Sequence, residues 1–287
     1  MGLVNVLQDL DLNLYACGRT TCGREWDFPA VTSPFARFFH VYSGAAEVRF
    51  QGRRLALRPG QVVLTPPFVP VDYRCSGRFD HLYVVFTCRT RTGLDFFSFA
   101  AMRFTVEADA LTAALFQRLH AFNPDRELDL IDPRRPDYDR SLWRSVPGLA
   151  LPPEHLLATD GILRLILARF LTDPPAPSGD LDGGRFLPVV AHIQANLHAD
   201  LTLPRLAALA RMRPSHFSDH FLAEIGSRPI AYLTRKRMEH AQFLLLSTRS
   251  PLKEIAAACG YRDANYFLRV FRRQVGLTPS EYRRQGL

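Results

Sequence analysis

The stretch that decides the fold is LKEIAAACGYRDANYFLRVFRR, Leu252 to Arg273. Leu252, Ile255, Ala256 and Cys259 fall at i, i+3, i+4 and i+7, the spacing of one buried helix face. Gly260 follows, where a left-handed turn carries no steric cost for a residue without a Cβ. Asp263 stands where its carboxylate can cap a second helix by accepting backbone N–H bonds. On that second helix Phe267, Val270 and Phe271 share the inner face. Ala264, Asn265, Leu268, Arg269 and Arg272 remain outside. Two short helices around a turn of this kind form the layout whose second helix enters the major groove of DNA.

Upstream, the pattern has a twin. Leu203, Leu206, Ala207 and Ala210 repeat the first helix 49 residues earlier. Phe217, Phe221, Gly226, Pro229 and Tyr232 return 50 residues later as Phe267, Phe271, Gly276, Pro279 and Tyr282. Two copies are too few for a solenoid, so two related subdomains are expected. The first copy is less regular: Arg211 occupies the turn position of Gly260, and Arg213 the capping position. Its outer face offers Ser215, His216, Ser218 and Asp219. Between the copies, 229–246 reads as one helix with Ile230, Leu233, Met238, Ala241 and Leu245 along a single face. Such a helix would hold two readers for successive major grooves, about 34 Å apart.

Charge supports the same partner. The chain of 287 residues carries 36 Lys and Arg against 28 Asp and Glu, a net +8. Residues 186–287 hold 15 basic and seven acidic groups, so all of the excess lies in the last third. A basic unit joined to a neutral one points to nucleic-acid binding by the former. Asn265 suits adenine, Arg269 guanine and Leu268 a thymine methyl, while Arg272, Arg273, Arg283 and Arg284 suit phosphates.

Further upstream, 172–185 (TDPPAPSGDLDGGR) is rich in Pro and Gly and reads as a linker. Residues 1–171 then form a separate unit. Segments 37–43, 45–51, 53–57, 61–65 and 81–87 are short, rich in Val, Phe, Tyr and Leu, and punctuated by Gly and Pro. They read as an antiparallel barrel or sandwich. Segments 106–122 and 154–171 follow with helical spacing, and 123–153 reads mostly as loop. The fold class is therefore α+β in two domains, a β-barrel with trailing helices and an all-α end.

Residues 186–285 resemble the DNA-binding domain of the AraC/XylS-type transcription regulators. The residues that carry the likeness are Ile255-Ala256, Gly260-Tyr261, Asp263-Ala264-Asn265-Tyr266-Phe267, Phe271-Arg272-Arg273, Gly276, Thr278-Pro279 and Tyr282-Arg283. The resemblance implies base-reading positions at Ser215, Ser218, Asp219, Ala264, Asn265, Leu268 and Arg269. Arg211, Arg213 and Asp219 depart from that family's usual Gly, Ser and Arg. The first unit resembles the same family's cupin-like sensor domain more loosely, through Gly44, Gly52, Leu57-Arg58-Pro59-Gly60, Thr65-Pro66-Pro67 and the run Phe79 to Phe86. The resemblance implies a cytoplasmic transcription activator that forms homodimers, meets RNA polymerase and responds to a small molecule in the barrel.

The candidate ligand groups are Trp26, Arg37, His40, Tyr42, His81 and Tyr83. Aromatic faces with neutral or cationic donors suit a sugar or sugar acid. No cofactor and no metal are expected: there is no His-x-His, and His216 and His220 lack a Cys or Glu partner nearby. The five cysteines read as structural. No run is long and apolar enough for a membrane span. The apolar stripe Leu157, Leu163, Ile166, Leu167 and Phe170 on 154–171, with 106–122, is the expected dimer face. A constitutive regulator whose barrel only dimerises, and a barrel enzyme fused to a DNA-binding domain, are the alternatives.

Overall fold

A computed structural model describes residues 10–90, 95–98, 100–128, 151–172, 186–225 and 227–286, together with Leu7 and Asp132. Gly226, most of 123–153 and all but Thr172 of the 172–185 linker lie outside the described residues. Contacts divide the chain into two compact units, which part after Thr172.

Among the described residues the first unit has nine strands: β1 (Leu10–Cys22), β2 (Asp27–Val31), β3 (Ala36–Gly44), β4 (Ala46–Phe50), β5 (Arg53–Leu57), β6 (Gln61–Thr65), β7 (Val71–Arg74), β8 (Phe79–Thr90) and β9 (Thr105–Glu107). They form a five-stranded sheet, β1-β8-β3-β6-β9, and a four-stranded one, β2-β7-β4-β5. The pairing is antiparallel throughout. The sheets face each other as a flattened barrel, with Trp26, Phe39 and Tyr73 meeting between them at ring separations of 5.2–6.0 Å.

β1 is the longest strand and is not among the segments that read as strands. Its signal is the alternation Leu10, Leu12, Leu14, all buried. It lies at a sheet edge, which leaves backbone carbonyls open to mispairing. Two arginines cover that edge: Arg126 donates to the Leu14 carbonyl and Arg164 to that of Leu10.

Helices α1 (Ala110–Phe122) and α2 (Pro153–Ala168) cover the outer face of the five-stranded sheet. Phe38 is the centre of that layer, stacked on Phe86 at 4.5 Å and Phe170 at 5.1 Å and edge-on to Phe116 at 6.2 Å. The expectation of helix from residue 106 needs correction. Val106 pairs with Val62 as part of β9, and helix begins only after Asp109, whose carboxylate accepts from the Thr112 amide at 2.8 Å. A β-branched residue beside an open sheet edge finds better pairing there than in a helix.

The expected dimer stripe on 154–171 also needs correction. Leu163, Ile166, Leu167 and Phe170 are buried within this unit. Leu157 of that stripe stays outside, 77% exposed, and forms a ridge on α2 with half-buried Gly161 and with Leu165, 56% exposed.

The second unit is helical: α3 (Leu187–Ala195), α4 (Leu203–Leu209), α5 (Pro214–Ile225), α6 (Pro229–Ser247), α7 (Leu252–Ala258), α8 (Ala264–Val275) and α9 (Pro279–Gly286). Phe186, Val190, Ile193, Leu206, Phe217 and Phe221 make the core of its first half. Ile255, Phe267, Val270 and Phe271 are the matching buried residues of the second. α6 buries Leu233, Met238, Ala241 and Leu245 as the spacing predicts, but Ile230 is 42% exposed. Tyr232 takes the inward place in that turn, with its hydroxyl accepting from Gln194 at 2.7 Å.

Candidate nucleic-acid interface and barrel pocket

The candidate DNA reader is α8. Gly260 has φ +77°, the left-handed backbone that turns α7 into α8. Asp263 then accepts from the amides of Asn265 at 2.7 Å and Tyr266 at 3.2 Å, satisfying two of the open donors of the first turn. Phe267, Val270 and Phe271 anchor the inner face with at most 3% exposure. Asn265, Arg269, Arg272 and Arg273 are exposed, with Ala264 and Leu268 half-buried beside them. The Arg269 guanidinium lies 5.8 Å from the Tyr266 ring, which steadies a long side chain along the helix. Gly276, at φ +84°, ends α8. A Thr278–Glu281 capping box then starts α9. Arg283, expected at a phosphate, is half-buried and donates to the Ser250 carbonyl.

The first helix-turn-helix differs in its surface. Arg211 adopts φ +53°, the same turn made by a residue with a Cβ. The Arg213 carbonyl accepts the first helical bond of α5, from Phe217. Ser215 is exposed, but Ser218 is buried and accepts from Arg228 at 3.0 Å. Arg228 also pairs with Asp219 at 3.4 Å. Two of the three candidate readers here therefore hold an arginine of their own unit.

The two helix-turn-helix units are tied by Arg237 of α6. Its Nε donates to the Leu197 carbonyl at 2.9 Å and its Nη2 to that of Ala199 at 2.7 Å. The same guanidinium lies over Tyr261, 5.4 Å from the ring centre. The sequence does not single out this residue, because nothing in its spacing distinguishes it from a surface arginine.

In the first unit a slot of about 50 Å³ lies between the sheets. Trp26, Arg37, His81 and Tyr83, four of the six candidate ligand residues, line it. Thr20, Phe28, Phe39, Tyr73, Val85 and Leu128 complete its walls, and the short strand that carries Tyr73 has no sequence periodicity to announce it. His40 and Tyr42 lie on the opposite face of β3. His40 packs on Phe116 of α1 at 5.0 Å, and Tyr42 carries the Arg19 guanidinium at 4.4 Å. Alternation along a strand separates these faces, but only the sheet pairing shows which one looks into the slot.

The Tyr73 hydroxyl and His81 Nδ1 are buried with no hydrogen-bond partner among the described residues. Burial pushes the His81 pKa down to about 4, against weaker opposing pulls from the Phe79 backbone and Asp80, so the ring is neutral. Tyr83 holds the slot's rim: its hydroxyl accepts from the Leu128 amide at 2.7 Å. A Cβ at Gly18 would lie 2.5 Å from that hydroxyl oxygen, so glycine opposite Tyr83 makes the arrangement possible. Burial also raises the thiol pKa values of Cys17, Cys22, Cys88 and Cys259, which keeps them protonated and unreactive. Among the described residues no three His, Cys, Asp or Glu groups cluster as metal ligands, and no helix is long and apolar enough to cross a membrane.

Residues 206–285 match the family model of a helix-turn-helix domain, and residues 6–130 that of an AraC-binding-like domain. The chain is 36% identical over 138 residues to the MmsAB operon regulatory protein of Pseudomonas aeruginosa, covering 46% of this chain and 43% of that one. It is 28% identical over 131 residues to the HTH-type transcriptional activator RhaR of Enterobacter, covering 46% of each. The matches span about half the length of these curated relatives. An apo ToxT variant from Vibrio cholerae shares the fold at 12% identity, with a TM-score of 0.50 over 97% of each chain.

Proposed function

Because the chain belongs to the AraC-type transcription regulators, a DNA-binding family, we propose that it activates transcription from a specific duplex site under control of a small molecule held in the barrel. The observation that carries the DNA reading is α8. Asn265 and Arg269 stand exposed on a capped helix whose buried face is fully packed, with Arg272 and Arg273 beside them. Asn265, Arg269, Leu268 and Ala264 read base edges, and Arg272 and Arg273 hold phosphates. In the first helix-turn-helix Ser215 reads, while Ser218 and Asp219 contribute once Arg228 turns to a phosphate. Arg283 reaches a phosphate only by leaving Ser250.

Activation is the sense carried by RhaR, a transcriptional activator, and RNA polymerase is then a partner. Trp26, Arg37, His81 and Tyr83 form the effector site, and His40 and Tyr42 act behind it, where β3 meets α1. The ridge Leu157-Gly161-Leu165 is the homodimer face, since glycine between two exposed leucines lets a second helix approach closely. The test is selection of a binding site by the full chain from randomised duplexes, followed by gel shift over a salt series. Specific binding that weakens steeply with salt is expected, because Arg–phosphate contacts release counterions. A chain that selects no sequence, or binds without salt dependence, refutes the reading.

A further inference from the structure

The turn that opens α5 gives up local stability at two positions, and both are arginines. Arg211 holds the left-handed turn at φ +53°, a backbone that an L side chain adopts only against a steric penalty and that its twin, Gly260, adopts without one. Arg213 occupies the capping position, where Asp263 of the twin accepts two amides of α8. A guanidinium has donors and no acceptor, so Arg213 leaves the first turn of α5 without a cap from its side chain. Glycine at 211, and a hydroxyl at 213, would each make a more stable turn. An unfavoured residue on an exposed turn points to a task outside the fold.

Charge identifies the task. Both residues are exposed, and among the described residues neither guanidinium makes a hydrogen bond or an ion pair. The other arginines of this helix-turn-helix are engaged: Arg205 lies 3.2 Å from Asp200, and Arg228 holds Ser218 and Asp219. The first turn of α5 carries no carboxylate to offset the two cations, whereas α8 begins beside Asp263. On a reading helix, the residues at and just before the first turn lie nearest the walls of the groove, and those walls are phosphate.

We infer that Arg211 and Arg213 grip phosphates of the duplex at the first helix-turn-helix, so that these two residues hold DNA whatever its sequence. The inference rests on the DNA-binding reading proposed above. It gives the two reading helices unequal settings: capped α8 presents Asn265 and Arg269 to base edges, while α5 enters behind a pair of anchors that replace a glycine turn and a cap.

The test uses the full chain and the duplex it selects from a randomised pool. Arg211→Gly relieves the left-handed turn, and Arg213→Ser supplies a capping hydroxyl. Each is expected to raise the denaturant midpoint of the helical unit, followed by far-ultraviolet circular dichroism, and at the same time to weaken DNA binding. A merely structural residue would move both in the same direction. The double variant should lower the slope of log affinity against log salt by about 2, at about 0.9 for each lost phosphate contact, with preference among single-base variants of the site unchanged. Arg211→Lys keeps the charge and the strained turn together, and should keep the slope. An unchanged slope in the double variant overturns the anchors and leaves the DNA-binding reading standing. So does a lowered midpoint in either single variant, which would make that arginine part of the fold, or a changed preference at one base pair, which would make it a reader. A parent chain that selects no duplex refutes the DNA-binding reading itself, and the anchors with it.

Discussion

Replacing Gly260 with alanine tests how the two helix-turn-helix units are held together. The residue sits at φ +77°, where an L side chain costs about 1 kcal/mol. Space adds a second cost. The new Cβ would lie 2.4 Å from the Leu197 carbonyl oxygen and 2.5 Å from Arg237 Nη2. Relief requires moving Arg237, whose bonds to the Leu197 and Ala199 carbonyls join α6 to the segment before α4. A charged hydrogen bond of this kind contributes about 1.5–3 kcal/mol. The expected loss is therefore about 3 kcal/mol. Gly276 is the internal control: it has φ +84°, and a methyl group there would meet nothing within 4 Å, so Gly276→Ala should cost about 1 kcal/mol. Both tryptophans precede residue 172, so their fluorescence follows the first unit while far-ultraviolet circular dichroism in denaturant follows the helical one. Equal losses for the two glycines would refute the crowding argument. An Arg237→Ala background, which removes the guanidinium and leaves the Leu197 carbonyl, should lower the Gly260→Ala cost without abolishing it.

Arg269→Ala should lose about 1–3 kcal/mol at the selected site and relax preference at one base pair, whereas Arg273→Ala should weaken all duplexes alike. Identical profiles across single-base variants would remove the distinction between reader and anchor. His81 is neutral when folded, with its pKa lowered from 6.5 to about 4, so the unfolded chain takes up a proton first. Its contribution is present above pH 6.5 and is lost as pH falls toward 4, about 2 kcal/mol of it between pH 7 and pH 5. Denaturant curves followed by tryptophan fluorescence should show this loss, and His81→Phe should flatten it. Leu157→Asp and Leu165→Asp should give folded monomers in sedimentation, while Leu163→Asp, fully buried, should unfold the first unit. A dimer that survives both exposed substitutions would place the interface elsewhere.

The helical end is legible in the sequence because its determinants are local. The i, i+3, i+4, i+7 spacing, the glycine turn, the Asp263 cap and the inner face Phe267, Val270 and Phe271 all act within a few residues of one another. Two strands, β5 and β6, can be read with their observed ends for the same reason: turn residues flank them. What escapes depends on contacts between distant segments. β1, β2 and β7 owe their state to pairing partners, and Val106 is a strand residue because Val62 lies beside it. Alternation along β3 divides Arg37 and Phe39 from Phe38 and His40, yet a period of two is symmetric and names neither face as the interior. The choice is made by α1 and α2, whose apolar faces cover Phe38 and His40 and turn the other face toward the slot. The same packing consumes Leu163 and Ile166, leaving Leu157 and Leu165 outside. A helix stripe records that a face is apolar, and only the tertiary structure decides which neighbour buries it.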